Sequence, residues 1–255
     1  MMKSAKVVIL LAMMVVGFGV VSASAAPTVA DCDTVRAAII GGDTTTQWEI
    51  TGIVTSTGYS AGRNNMTVQD GTGAVYIDDS GANGATTAVE GDEVTITGVG
   101  TVFNGLHELV PDGVSAEINS SGNPLPLPQI VADLSSPELP NTLQAELIGV
   151  KNVFFTTGPN GAAWTTSTNY TIDDGSNSTT FRIGSGTTGW SGNGPADLAP
   201  VDIIGTINWF NNPQLHARSG HQGDGTIAYN NTADTGPDIT LAGTLPVELS
   251  AFGTE

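Results

Sequence analysis

The sequence predicts an all-β chain built as two small barrels in tandem, with one short helix ahead of the first. Three observations carry this reading. From Trp48 onward, apolar residues recur with a period of two in short runs rich in β-branched side chains. Glycine and Asp-Gly pairs, which permit the positive φ of tight turns, separate those runs. The pattern also occurs twice: Asn65-Met66-Thr67-Val68-Gln69-Asp70-Gly71 is echoed by Asn169-Tyr170-Thr171-Ile172-Asp173-Asp174-Gly175.

Residues 1–25 read as a signal peptide. Lys3 and Lys6 precede an apolar run from Val7 to Val21, and Ala23-Ser24-Ala25 forms a small-residue cleavage site. The run is shorter than the roughly 20 residues a spanning helix needs. Residues 26–120 are expected to form the first barrel with its leading helix. That helix is predicted over Thr28–Ile40, with Asp31 or Asp33 as cap and Gly41-Gly42 as stop. Ile50–Val54, Met66–Val68, Ala74–Ile77, Val94–Thr97, Leu106–Val110 and Val114–Ile118 supply its strands. Residues 121–142, with Pro124, Pro126, Pro128, Pro137 and Pro140, have the composition of a proline-stiffened linker. A second barrel is expected over 143–222 and a C-terminal tail over 223–255. Gly149 is matched to Gly52, Gly205 to Gly98 and Phe210 to Phe103, with longer loops at 156–167 and 184–200 in the second copy. Glycines inside strands suit the sharp bends of a small barrel.

Gly52-Ile53-Val54, Thr67 to Tyr76, Gly91-Asp92-Glu93-Val94-Thr95-Ile96-Thr97-Gly98 and Phe103-Asn104-Gly105 resemble the OB-fold modules of secreted bacterial proteins, the type accompanying extracellular nucleases. The resemblance covers residues 28–120 and, more loosely, 143–220. It implies two tandem OB-like Greek-key barrels; its motif positions are turns and barrel corners and describe fold, not activity. Leu245-Pro246-Val247-Glu248-Leu249-Ser250-Ala251-Phe252 resembles the stretch that precedes the sorting domain of type IX secretion cargo. A terminal strand docked on the second barrel is the alternative reading of that segment.

Charge narrows the partners. The formal charge is −18, and loss of Lys3 and Lys6 with the leader takes it to −20. Arg36, Arg63, Lys151, Arg182 and Arg218 are the only basic residues beyond the leader, and they are scattered. No basic stripe is available to displace counterions from a phosphate backbone. Cys32 is the only cysteine, so no internal disulfide can form. It is expected as a free thiol, with an intermolecular bridge as the alternative.

No catalytic constellation is evident. His107, His216 and His221 read as surface or loop histidines, with a His216–His221–Asp224 metal set as the sharper alternative. Asp78, Asp79, Asp173 and Asp174 are either solvated turn residues or weak calcium sites, calcium being the one cofactor the sequence suggests. Aromatic residues are the strongest lead. Tyr59, Tyr76 and Phe103, with Trp164, Trp190, Trp209 and Phe210, can present stacking faces beside Arg63 and Arg182. Barrel filling is the competing role. Trp164 and Trp190 sit in Gly/Ser/Thr-rich loops where nothing in the local pattern demands a large ring; exposed there, they would suit stacking on sugar rings. The expected function is a secreted, non-catalytic binding or surface-assembly protein. Accessory single-stranded nucleic-acid binding and self-association in the cell envelope are the alternatives, so carbohydrate, nucleic acid and a second copy are the partners considered.

Overall fold

The computed structural model describes residues 26–79, 88–112, 116–135, 139, 141–196, 198–223, 225 and 237–245. The leader and the residues after Leu245 lie outside them. No described helix is long and apolar enough to cross a membrane.

The first sheet holds β1 (Thr28–Val29), β2 (Gln47–Thr57), β3 (Met66–Gln69), β4 (Ala74–Ile77), β5 (Glu93–Phe103), β6 (Leu106–Pro111) and β7 (Glu117–Ser120). Its order is β1-β2-β3-β4-β6-β5-β7, and a further β2–β5 pairing closes five strands into a barrel. The second sheet holds β8 (Gln129–Ile130), β9 (Leu147–Thr157), β10 (Thr168–Asp173), β11 (Ser178–Ile183), β12 (Val201–Trp209), β13 (Pro213–His216) and β14 (Ile239–Leu241). It closes in the same way through β9–β12. In each barrel the third and fifth strands run parallel, β4 beside β6 and β11 beside β13. Among the described residues the chain is therefore all-β apart from one α-helix and one 3₁₀ turn, with two five-stranded OB-like barrels.

The duplication is more complete than composition indicates. β1 runs parallel to β2, with Thr28 opposite Trp48, and β8 runs parallel to β9, with Gln129 opposite Ile148. The Asp70 carboxylate accepts the Cys32 N–H at 2.8 Å, and Asp174 accepts the Leu134 N–H at 2.7 Å. β7 lies antiparallel to β5, as β14 does to β12. The proline-rich stretch expected as a linker is thus the leading segment of the second barrel, with Leu125, Val131, Leu134 and Leu139 buried. Part of the expected tail is its closing strand, and Leu245 packs with Leu125, Leu147 and Ile204. Pro124, Pro126 and Pro128 are tolerated because the chain there is extended and pairs only at a sheet edge.

Register corrects one sequence match. Gly98 lies opposite Trp48 and Gly205 opposite Ile148. Gly149 therefore corresponds to Glu49, three residues away from Gly52. Gly98 and Gly205 are true equivalents: a Cβ would meet the Val110 carbonyl oxygen at 2.4 Å in one and that of His216 at 2.6 Å in the other.

The helix α1 (Cys32–Ile40) starts later than expected because Thr28 and Val29 join the sheet. Asp31 caps it by accepting the Thr34 N–H. Cys32, Val35 and Ile39 enter the first core. Cys32 is fully buried and its thiol is pushed up in pKa by burial, so the intermolecular bridge is not available to it.

The barrels are docked through buried polar groups. Arg36 reaches Glu146 at 2.7 Å, and the Tyr59 hydroxyl meets Thr206 Oγ1 at 2.6 Å. Arg218 is buried with Asp238 at 2.7 Å and Glu90 at 2.6 Å, and His221 Nε2 lies 2.9 Å from Glu90. Burial works against a charge on His221, but its hydrogen bond to Glu90 and the nearby carboxylates outweigh this and raise its pKa above 6.5. A raised histidine pKa contributes stability in full below about 6.5, and the contribution is lost as pH rises through the folded value. His221→Gln is expected to cost about 1 kcal/mol at pH 6 and less at pH 8.5; urea unfolding of both proteins across that range checks it.

Candidate functional site

The same face of each barrel is turned toward the other, and a cleft of about 560 Å³ lies between them. From the first barrel come Tyr59 and Arg63 of the turn after β2, Tyr76 and Asp78 on and after β4, and Glu108 on β6. From the second come Asn169, Arg182 on β11, and Gln214 and His216 on β13. The parallel strand pairs line it from both sides: Tyr76 lies opposite Glu108, and Arg182 opposite His216.

The hairpins β5–β6 and β12–β13 form the rim. Each turns through an asparagine with positive φ, Asn104 at 51° and Asn211 at 61°, a region asparagine tolerates better than most residues. The Asn211 N–H donates to the Asn104 carbonyl at 2.7 Å, so the two tips are fastened together. Phe103 and Phe210 stand there with ring centroids 6.4 Å apart and are more than half exposed. Trp209 is half-buried and packs over Gly105, where a Cβ would lie 2.6 Å from the indole.

The floor is aromatic. Tyr59 lies 5.2 Å from Tyr76 and 5.2 Å from His216 between ring centroids. Against it stands Glu108, only 5 % exposed, whose carboxyl has no hydrogen bond or ion pair among the described residues. Burial, then the neighbouring Asp78 charge, push its pKa up to about 8; Arg63 offsets this in part. Arg63 is itself engaged with Asp78 at 3.0 Å, and Asn65 also donates to that carboxylate. His216 is buried and held neutral, its pKa pushed down to about 3 by burial and by Arg182, and its Nδ1 has no partner among the described residues. The Arg182 guanidinium donates to Asn169.

Of the residues singled out in the sequence, Tyr59, Arg63, Tyr76, Phe103, Arg182, Trp209 and Phe210 meet in this cleft. Trp164 and Trp190 do not. They are 4 % and 3 % exposed and form, with Phe155, Tyr170 and Phe181, an edge-to-face cluster inside the second barrel. Their indole N–H groups donate to the Gly223 and Arg218 carbonyls. The long loops fold back over the barrel and supply the rings that fill it.

The acidic pairs are occupied. Asp79 is buried beside Asn64, Asp173 accepts the Gly175 N–H, and Asp174 accepts those of Leu134, Ser176 and Asn177. Among the described residues no group of three or more His, Cys, Asp and Glu is placed to hold a metal ion. His216 and His221 are separated in role, one in the cleft and one on Glu90, and Asp224 lies outside the described residues. His107 is half-buried against Gln144 rather than exposed. Glu108, Asn169, Asn208 and Gln214 were not anticipated. The only signal for Glu108 is an acid set between Leu106 and Val110 on one strand face. No protein-family model matches the chain, and no curated protein matches its sequence.

Two outcomes follow for stability. A carboxyl with a raised folded pKa loses stability as pH climbs from its unfolded value through the folded one. Glu108→Gln is therefore expected to match the parent at pH 4 and exceed it by about 1–3 kcal/mol at pH 8.5. Trp164→Ala should cost about 3–5 kcal/mol, as for a buried core ring. Both are read from urea unfolding midpoints, and an unchanged midpoint for Trp164→Ala would contradict the packing described.

Proposed function

We propose that this chain is an exported, non-catalytic binding protein and that the cleft between its barrels takes a carbohydrate. The observation that carries the reading is the pairing of aromatic faces with planar polar groups in one concave site. Tyr76, Trp209, Phe103 and Phe210 offer ring surface to the C–H faces of a sugar, while Asn169, Asn208 and Gln214 offer amides to its hydroxyls. The volume lies within the usual range for small-molecule sites. The leader read over residues 1–25 supports export.

Nucleic acid fits this cleft less well. Its two arginines are engaged with Asp78 and Asn169, an unpaired acid stands on the floor, and the chain carries −18. Calorimetric titration against a panel of disaccharides tests the reading. A disaccharide is expected to bind, and Tyr76→Ala should weaken it at least about tenfold. Ligand should also change tryptophan fluorescence through Trp209, because Trp48, Trp164 and Trp190 are buried away from the cleft; Trp209→Phe should remove that change. Saturable binding of a short oligonucleotide at low salt, with no sugar bound, would reverse the assignment.

A further inference from the structure

We propose that the cleft selects a saccharide bearing a free amine, with Glu108 as the carboxylate that pairs with its ammonium group beside the Tyr59–Tyr76 rings. This deepens the carbohydrate reading and rests on it. A buried acid without a partner is costly, and folded chains usually avoid it by pairing or hydrogen bonding. Glu108 has neither among the described residues, yet it faces an open cleft.

Among the described residues no charged or titratable group around Glu108 pairs with it, and Arg63 only offsets its raised pKa in part. Arg63 is committed to Asp78, Arg182 donates to Asn169, and His216 is neutral. The Tyr59 hydroxyl is held by Thr206, and burial keeps Tyr76 protonated. What the floor offers is one carboxyl and two ring faces, the combination that attracts an ammonium ion through charge and through the ring quadrupole. The net charge of −18 adds a field that draws cations toward the protein.

The empty site keeps Glu108 in its acid form, since its pKa stands near 8. An incoming ammonium, already protonated, favours the carboxylate. One proton then passes from Glu108 to the buffer for each amine bound. Binding is expected to release close to one proton at pH 7 and progressively less above pH 8.

The test is calorimetry with three disaccharides of one backbone type: the glucosamine dimer, its N-acetylated form and cellobiose, each in two buffers of different ionisation enthalpy. The glucosamine dimer should bind at least tenfold more tightly and alone release a proton. Glu108→Gln, which the stability argument expects to fold at least as well as the parent, should abolish the preference and the release together. Equal affinity for all three sugars, or a preference that survives Glu108→Gln, would overturn the inference and leave the carbohydrate reading intact. Choline serves as a cation without a sugar ring. If choline binds with proton release and no sugar does, the ammonium site stands and the carbohydrate reading falls; if neither binds, both fall.

Discussion

The relative placement of the two barrels rests on buried guanidinium groups, Arg218 first among them. Arg218 is wholly enclosed, donates through its backbone N–H and Nε to Asp238 of its own barrel, and reaches Glu90 of the other. Removing such charges from water costs several kcal/mol, which the ion pairs roughly offset, so they add little net stability. Their contribution is directional. An apolar interface of the same size would tolerate sliding, whereas a guanidinium between two fixed carboxylates accepts one arrangement. Arg36 and Glu146 repeat the device at a second point of the interface. With two such pins the cleft walls keep their spacing, and a site lined by both barrels becomes possible.

Duplication explains what those walls contain. Both copies turn the same parallel strand pair toward the cleft, Tyr76 and Glu108 on one side and Arg182 and His216 on the other, and register makes Gln214 the counterpart of Glu108. The backbone geometry is shared and the chemistry has diverged. A ring and an acid face a guanidinium held by Asn169 and a neutral imidazole. The rim shows the opposite history, since Phe103-Asn104 and Phe210-Asn211 keep both the aromatic residue and the positive-φ asparagine that positions it.

Much of this architecture was legible in the sequence because period-two runs and Asp-Gly turns are local signals. Gly98 and Gly205 were read correctly, since a close strand crossing excludes every side chain at both. The Gly52–Gly149 match failed because register is set by the partner strand, which lies far away in sequence. The proline-rich stretch was misread for a related reason: composition reports flexibility, and two backbone pairings at Gln129 and Ile130 are enough to override it. Nothing local in their loops calls for the large rings of Trp164 and Trp190, but a five-stranded barrel has little volume of its own and these loops complete its core. Glu108 was invisible to reasoning about one barrel. Leu109 faces the barrel core and Leu106 faces the cleft, so both sides of β6 are covered, and only the second barrel makes the outer side an interior.

The contrast among the acids then supports the proposed ligand site more sharply than the cavity does. Asp70 and Asp174 are surrounded by backbone donors and stabilise the turns they occupy. Asp238, though fully buried, is matched by Arg218. Glu108 is more buried than Asp70 and Asp174 and nearly as buried as Asp238, and has no comparable partner among the described residues; a glutamine of the same shape would remove the penalty of ionisation there. An acid held at a cost to stability, on a strand face it shares with Leu106 and Val110, is the pattern expected where a ligand rather than the fold supplies the missing partner. The neighbouring Nδ1 of His216, also without a partner among the described residues, extends the same incomplete polar surface into the second barrel.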